Sequence, residues 1–103
     1  MINKIIIAFL LMIAVACTAT HSAFQPTESD LNKINTADSK VTLEELKKGF
    51  NLYVANCGGC HWLPPPASKN KTEWEKIFPE MFAKIALSQE QQALIRQYVY
   101  SKL

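Results

Sequence analysis

Apolar residues recur along the chain at a spacing that predicts three amphipathic helices. Leu43, Leu46, Phe50 and Tyr53 are three or four positions apart, so they share one face of a helix. Two further stripes have the same spacing: Trp74, Ile77, Phe78, Met81, Phe82 and Ile85, followed by Leu94, Ile95, Tyr98 and Val99. The alternating pattern of a strand appears nowhere in the sequence. We therefore expect an all-α, all-helical domain.

Each predicted helix carries a candidate capping box, in which two residues bond reciprocally to each other's backbone amides. The pairs are Thr42 with Glu45, Thr72 with Glu75, and Ser88 with Gln91. Pro79 interrupts the second stripe. Because proline lacks a backbone donor, we expect a kink there, or two short helices.

Gly49 lies inside the first predicted helix, where glycine costs about 1 kcal/mol relative to alanine. A glycine in such a place commonly allows another backbone to approach closely. We therefore expect a second helix to cross the first one at Gly49.

Residues 1–16 have the pattern of a secretory signal peptide. Lys4 precedes an apolar run, and the run closes with the small residues Ala14-Val15-Ala16. Its twelve residues are too few for a comfortable membrane span. The alternative interpretation is an uncleaved anchor. Either way, we expect the protein to be exported.

Cys17 follows this segment directly and makes it similar to a bacterial lipoprotein signal. In such signals the cysteine is lipidated and becomes the mature N-terminus. Ala14 departs from that pattern, because leucine is usual at its position, and Ala14-Val15-Ala16 also satisfies ordinary cleavage. We favour a lipoprotein in the periplasm, with a soluble periplasmic protein as the alternative.

Polar residues dominate positions 17–40, which predicts a flexible tether. Residues 41–103 then form one compact domain of about three to four helices. The charge is nearly balanced: without Lys4, ten basic side chains face nine acidic ones. No basic patch of the kind that nucleic acid requires is present, so we exclude nucleic-acid binding.

The sequence Cys57-Gly58-Gly59-Cys60-His61 is a C-x-x-C-H motif, to which haem c is attached. Two thiols at this spacing reach the two vinyl groups of one porphyrin, and the following histidine can bind the iron. We expect Cys57 and Cys60 to hold one haem covalently, and His61 to be the proximal iron ligand.

Two other interpretations of the motif are weaker. A thioredoxin-like dithiol requires a βαβ context, whereas the flanking residues look helical. A zinc site requires a second pair of ligands. The remaining candidates, Cys17 and His21, lie in or beside the export segment.

Residues 42–101 resemble the small monohaem class I c-type cytochromes. The segment from Gly49 through Tyr53 to Cys57 is similar to that family's first helix, with a glycine, an aromatic residue and the haem cysteine in order. The residues Leu87-Ser88, Ile95 and Tyr98-Val99 are similar to its terminal helix. In that family the two helices cross at right angles, glycine against aromatic.

The resemblance also implies a distal methionine ligand. Met81 is the only methionine that remains once residues 1–16 are removed. Only 19 residues separate it from His61, fewer than usual in the family, so Met81 would come from a helix or its kink. The alternatives are that Met81 fills the core, and that the iron is open or bound by a lysine.

These observations predict an exported monohaem cytochrome that carries single electrons between periplasmic redox proteins. We expect no small-molecule substrate and no enzymatic turnover. A haem-based gas or redox sensor with an open distal site is one alternative. An accessory haem subunit of a periplasmic oxidoreductase is another.

Lipidation of Cys17 is directly testable. The protein should fractionate with membranes and incorporate labelled fatty acid, and Cys17→Ser should release it or block its processing. Cys57→Ser is the matched control, because it leaves the export segment intact and should still be labelled. Wild-type protein found wholly soluble, with an N-terminus downstream of residue 17, would contradict lipidation.

Overall fold

The computed structural model describes residues 24–57 and 63–103. Four α-helices occur in these two ranges: α1 (Glu28–Ile34), α2 (Leu43–Asn56), α3 (Lys71–Lys84) and α4 (Gln89–Ser101). A short 3-10 turn, Pro66–Ser68, precedes α3. Over these ranges there is no strand, which confirms the all-helical prediction. The predicted signal segment and Cys17 lie outside the described residues.

Helices α2 and α4 begin at the predicted capping boxes. The Thr42 hydroxyl accepts a hydrogen bond from the Glu45 amide at 3.1 Å, and the Glu45 carboxylate accepts one from the Thr42 amide at 3.1 Å. Ser88 and Gln91 form the same reciprocal pair at 3.1 and 3.0 Å. Both predictions are confirmed by these hydrogen bonds. Each box pairs backbone amides that the first turn of a helix leaves without a partner.

Helix α3 begins two residues earlier than predicted. Its capping box joins Asn70 and Glu73, with hydrogen bonds of 2.9 and 3.2 Å, so the predicted Thr72–Glu75 box is wrong. Asparagine is at least as good an N-cap as threonine. The Glu75 carboxylate instead accepts a hydrogen bond from the Tyr100 hydroxyl.

Pro79 does not divide α3 into two helices. The helix continues from Lys71 to Lys84 with Pro79 inside it, so that alternative is wrong. Pro79 lies on the exposed side of the helix, where the one backbone hydrogen bond that proline removes is lost at the surface rather than in the core.

Helices α2 and α4 have the most extensive contact of any helix pair in the described structure, and they meet at Gly49. A Cβ atom placed on Gly49 would overlap the carbonyl oxygen of Leu94 and would lie 2.9 Å from Cβ of Tyr98. The predicted crossing at Gly49 is confirmed, and the reason is the one given: only a residue without a side chain lets α4 approach this closely.

The core next to this crossing is largely aromatic. The Tyr98 ring lies 5.3 Å from Phe50 and 5.5 Å from Tyr53, between centroids. Helix α3 contributes Trp74, Phe78 and Phe82, stacked along one side of the helix at 5.3 Å intervals. The buried cluster comprises Phe50, Tyr53, Leu63, Trp74, Phe78, Phe82, Ile95, Tyr98 and Val99. All three predicted apolar faces therefore contribute to one core.

The predicted tether is partly wrong, because its C-terminal half is folded. Helix α1 has its own capping box between Thr27 and Asp30, and Asp30 is buried. The Asn35 side chain bonds to both backbone groups of Val41, at 2.7 and 3.1 Å. Polar pairs rather than an apolar stripe hold this segment, so periodicity did not reveal it. Residues 17–23 lie outside the described residues.

One finding concerns the membrane. None of the helices in the two described ranges is sufficiently long and apolar to cross a bilayer.

Replacing Gly49 by alanine tests the crossing. Helix propensity alone would raise the free energy of unfolding by about 1 kcal/mol. The overlap with Leu94 should outweigh this gain. We expect the free energy of unfolding, measured with denaturant, to fall by about 1–3 kcal/mol, as for an overpacked core. Asn51→Ala, at an exposed position of the same helix, is the control and should not destabilise. A Gly49→Ala variant more stable than wild type would contradict the crossing.

Candidate haem-attachment site

Cys57 is the first residue of the C-x-x-C-H motif and the only one within the described structure. It is the C-cap of α2, and its backbone amide donates to the Tyr53 carbonyl at 2.9 Å. Its partly buried side chain packs against the aromatic core. Burial raises the pKa of the Cys57 thiol to about 11, so the group is neutral at neutral pH.

The other predicted residues of the motif, Cys60 and His61, lie outside the described residues together with Gly58, Gly59 and Trp62. The described residues on both sides of this gap lie against the core. Cys57 packs against the core on one side, and Leu63 is buried in the core on the other, with 8% of its surface exposed. The two described residues that flank the gap, Cys57 and Leu63, therefore lie against the same apolar cluster.

Hydrogen bonds fix the three prolines that follow the motif. The Tyr53 hydroxyl donates to the Pro64 carbonyl, and the Trp74 indole donates to the Pro66 carbonyl at 2.8 Å. The Pro65 carbonyl accepts from the Ser68 amide at 2.9 Å and from its hydroxyl at 2.6 Å. Since prolines have no amide donors, these carbonyls are the run's only backbone hydrogen-bonding groups. All three are occupied.

Sequence periodicity placed Tyr53 and Trp74 on apolar faces and missed this polar role. Burial first, and then the nearby Cys57 and Tyr98, raise the pKa of Tyr53 far above its ordinary value. The phenol therefore stays protonated and remains a donor to Pro64. The two rings also contact each other edge to face, with centroids 6.3 Å apart. The signal that could have been used is general: buried Tyr and Trp usually find a partner for their polar atom.

Met81, the predicted distal ligand, lies on α3 between Phe78 and Phe82 in sequence. Those two aromatic side chains are buried, whereas Met81 is only partly buried. Ile77, one helical turn before Met81, is also partly buried and packs against the core from its edge. Met81 is thus partly exposed on α3, and core filling does not fully account for it.

The described residues fit a covalent haem. A porphyrin needs a thiol at its edge and a mainly apolar surface to cover its faces, and Cys57 stands beside such a surface. Several apolar side chains that pack against the core remain partly exposed: Leu52, Val54, Ile77 and Leu87.

The described side chains do not form a metal site by themselves. Within residues 24–57 and 63–103, no three or more His, Cys, Asp and Glu side chains are grouped so that they could hold a metal ion. Comparison of the chain with protein-family models, curated proteins and solved structures finds no match.

Removing the Tyr53 hydroxyl tests whether it anchors the proline run. Tyr53→Phe keeps the ring and leaves the Pro64 carbonyl without its donor, so the free energy of unfolding should fall by about 1–3 kcal/mol. Tyr100→Phe is the matched control. Its hydroxyl bonds to the exposed Glu75, and its loss should change stability by no more than about 0.5 kcal/mol. Equal effects in the two variants would contradict the anchoring role.

Proposed function

We propose that this chain is an exported monohaem c-type cytochrome that carries single electrons between periplasmic redox proteins. The observation that carries the proposal is the position of Cys57. The first cysteine of a C-x-x-C-H motif ends the helix whose glycine is crossed by the C-terminal helix. The resemblance to class I c-type cytochromes implies this arrangement of glycine, aromatic residue, cysteine and terminal helix.

Four residues would hold the haem. Cys57 and Cys60 would provide the thioether links, His61 the proximal nitrogen, and Met81 the distal sulfur. The haem would supply an iron that accepts and releases one electron. Methionine and histidine together as its protein ligands would raise its reduction potential. With His61 and Met81 both bound to the iron, the expected activity would be electron transfer without a substrate.

Residues around the motif have supporting roles in this proposal. Tyr53 and Trp74 hold the proline segment that follows the motif. Hydrogen bonds around a metal site commonly orient its ligands, and in this proposal the anchored segment would support His61 in that way. The aromatic core beside Cys57 excludes water from one side of the site.

The cell compartment is also part of the proposal. Export follows from residues 1–16, and attachment to the membrane from lipidation of Cys17. The expected partners are periplasmic redox proteins that approach an exposed haem edge. Reversible one-electron cycling in a spectroscopic redox titration, with no turnover of added small molecules, is the expected behaviour.

Ligation by Met81 separates a carrier from a sensor. The oxidised protein should show a weak absorption band near about 695 nm, as His/Met haems do. The reduced protein should bind carbon monoxide poorly. Met81→Ala should abolish the band and allow carbon monoxide to bind, because it removes the sixth ligand.

Ile77→Ala is the control, since Ile77 is partly buried on the same helix but has no atom that can bind iron. It should keep the band. Rapid stoichiometric binding of carbon monoxide by the reduced wild-type protein would favour a sensor with an open distal site and would overturn the carrier proposal. A Met81→Ala spectrum identical to wild type would return Met81 to the core.

A further inference from the structure

The segment that precedes α1 is fixed to the C-terminal end of α4. The Tyr98 hydroxyl donates to the Phe24 carbonyl at 2.5 Å, and the Lys102 ammonium donates to the Gln25 carbonyl at 2.7 Å. Lys102 also bonds to the Asp30 carboxylate at 2.5 Å. The folded body therefore includes Phe24 and does not begin at residue 41.

The ion pair in this junction is sheltered from water. Asp30 is 6% exposed, and the Lys102 side chain is 16% exposed. Burial alone would raise the pKa of Asp30, but the hydrogen bonds from Lys102 and Thr27 outweigh it and lower the pKa below its ordinary value. Asp30 is therefore ionised at neutral pH and pairs with the Lys102 ammonium.

This junction leaves a short connection to Cys17. Seven residue steps separate Cys17 from Phe24, and a chain of that length spans at most about 25 Å in any conformation. A folded body of about 80 residues has a diameter of about 30 Å, from the scaling of its radius of gyration. A lipid on Cys17 would thus keep the Phe24 end of the body closer to the bilayer than one body diameter.

The surface beside this end is basic. An open cleft of about 380 Å³ is lined by Ala67, Ser68, Lys69, Asn70, Lys71, Lys102 and Leu103. Three of these side chains are lysines and none is acidic. Since Lys102 is paired with Asp30, the positive charge that the cleft offers comes from Lys69 and Lys71. Lys102 also holds Gln25, so the basic cleft adjoins the point from which the chain leaves toward Cys17. Lys69 is partly exposed and Lys71 is exposed, so both ammonium groups can reach a charged partner.

We propose that the basic cleft lies against anionic lipid headgroups, and that the membrane surface is the docking partner of this face. The proposal rests on the lipidation of Cys17 stated under the proposed function. Two contributions act together. The short connection limits the distance between the folded body and the bilayer, and lysines close to an anionic bilayer are attracted by its negative surface potential. A lipid chain combined with a basic patch is a recurrent two-signal anchor.

Docking of this kind has a functional consequence. A body held at two points, the lipid and the basic cleft, presents the same side to every partner that approaches from the periplasm. The orientation is set by described residues, since Phe24 and Lys102 are part of one hydrogen-bonded junction. Partners would then meet a surface other than the α4 C-terminal face.

Lysine footprinting on the lipidated full-length protein tests this docking. The protein is placed in vesicles of zwitterionic phosphatidylcholine, with or without anionic phosphatidylglycerol, and acetylation rates are measured by mass spectrometry. With the anionic lipid, Lys69 and Lys71 should react at least about threefold more slowly. Lys47, Lys48 and Lys84 are exposed, do not line the cleft, and should be unaffected.

A charge reversal strengthens the test. Lys71→Glu leaves Lys69 as a reporter, and its protection should disappear. Lys48→Glu reverses the charge of an exposed lysine away from the cleft and should leave the protection of Lys69 unchanged. Neither lysine belongs to the hydrogen-bonded junction.

Three results would overturn the docking. The first is equal acetylation of cleft and control lysines in anionic vesicles, with lipid on Cys17 verified by intact mass. The second is protection only in native membranes that contain other proteins, which would assign the cleft to an acidic protein. The third is an intact mass without lipid. That result would contradict lipidation of Cys17. Haem attachment is measured separately, by the colour of the protein.

Discussion

The contact of Gly49 with α4 is the constraint on which the rest of the structure depends. Because the Leu94 carbonyl occupies the space where a side chain would be, α4 can approach α2 this closely only at a glycine. The same crossing brings Tyr98 of α4 against Phe50 and Tyr53 of α2. Cys57 ends the same helix one turn beyond Tyr53, so the crossing also determines where the thiol lies. Core and candidate site thus share one cause.

The candidate site combines a backbone segment held by hydrogen bonds with apolar side chains that are partly exposed. Tyr53 and Trp74 use ring surface for the core and a polar atom for the proline run, so each joins the two parts of the structure. On α3, the buried aromatic stack is flanked by Ile77 and Met81, which remain partly uncovered. A covalent prosthetic group would complete the apolar shell of a body this small, where additional links commonly supplement the core. The proposed haem would therefore have a structural as well as a redox role.

Much of this fold could be predicted from local chemistry, and the failures have physical reasons. Gly49 identified its crossing because a glycine inside a helix needs a compensating contact, and Thr42 and Ser88 identified helix starts because their capping partners follow at the correct spacing. Asn70 was missed as the N-cap because Thr72, two residues later, also has a glutamate at the capping-box spacing. Helix α1 was missed because a buried Asp30–Lys102 pair joins residues 72 positions apart, a contact that no periodicity records. The Thr27–Asp30 box was the available local signal.

Covalent haem is the central claim, and one extraction tests it most directly. The mature protein, produced in cells that attach haem c, is treated with acidified acetone, which removes haem that is not covalently bound. The account predicts that the colour stays with the precipitated polypeptide, and that the intact mass increases by one haem. Cys57→Ala with Cys60→Ala should lose both signals. Colour that moves entirely into the solvent from the wild-type protein would contradict the account.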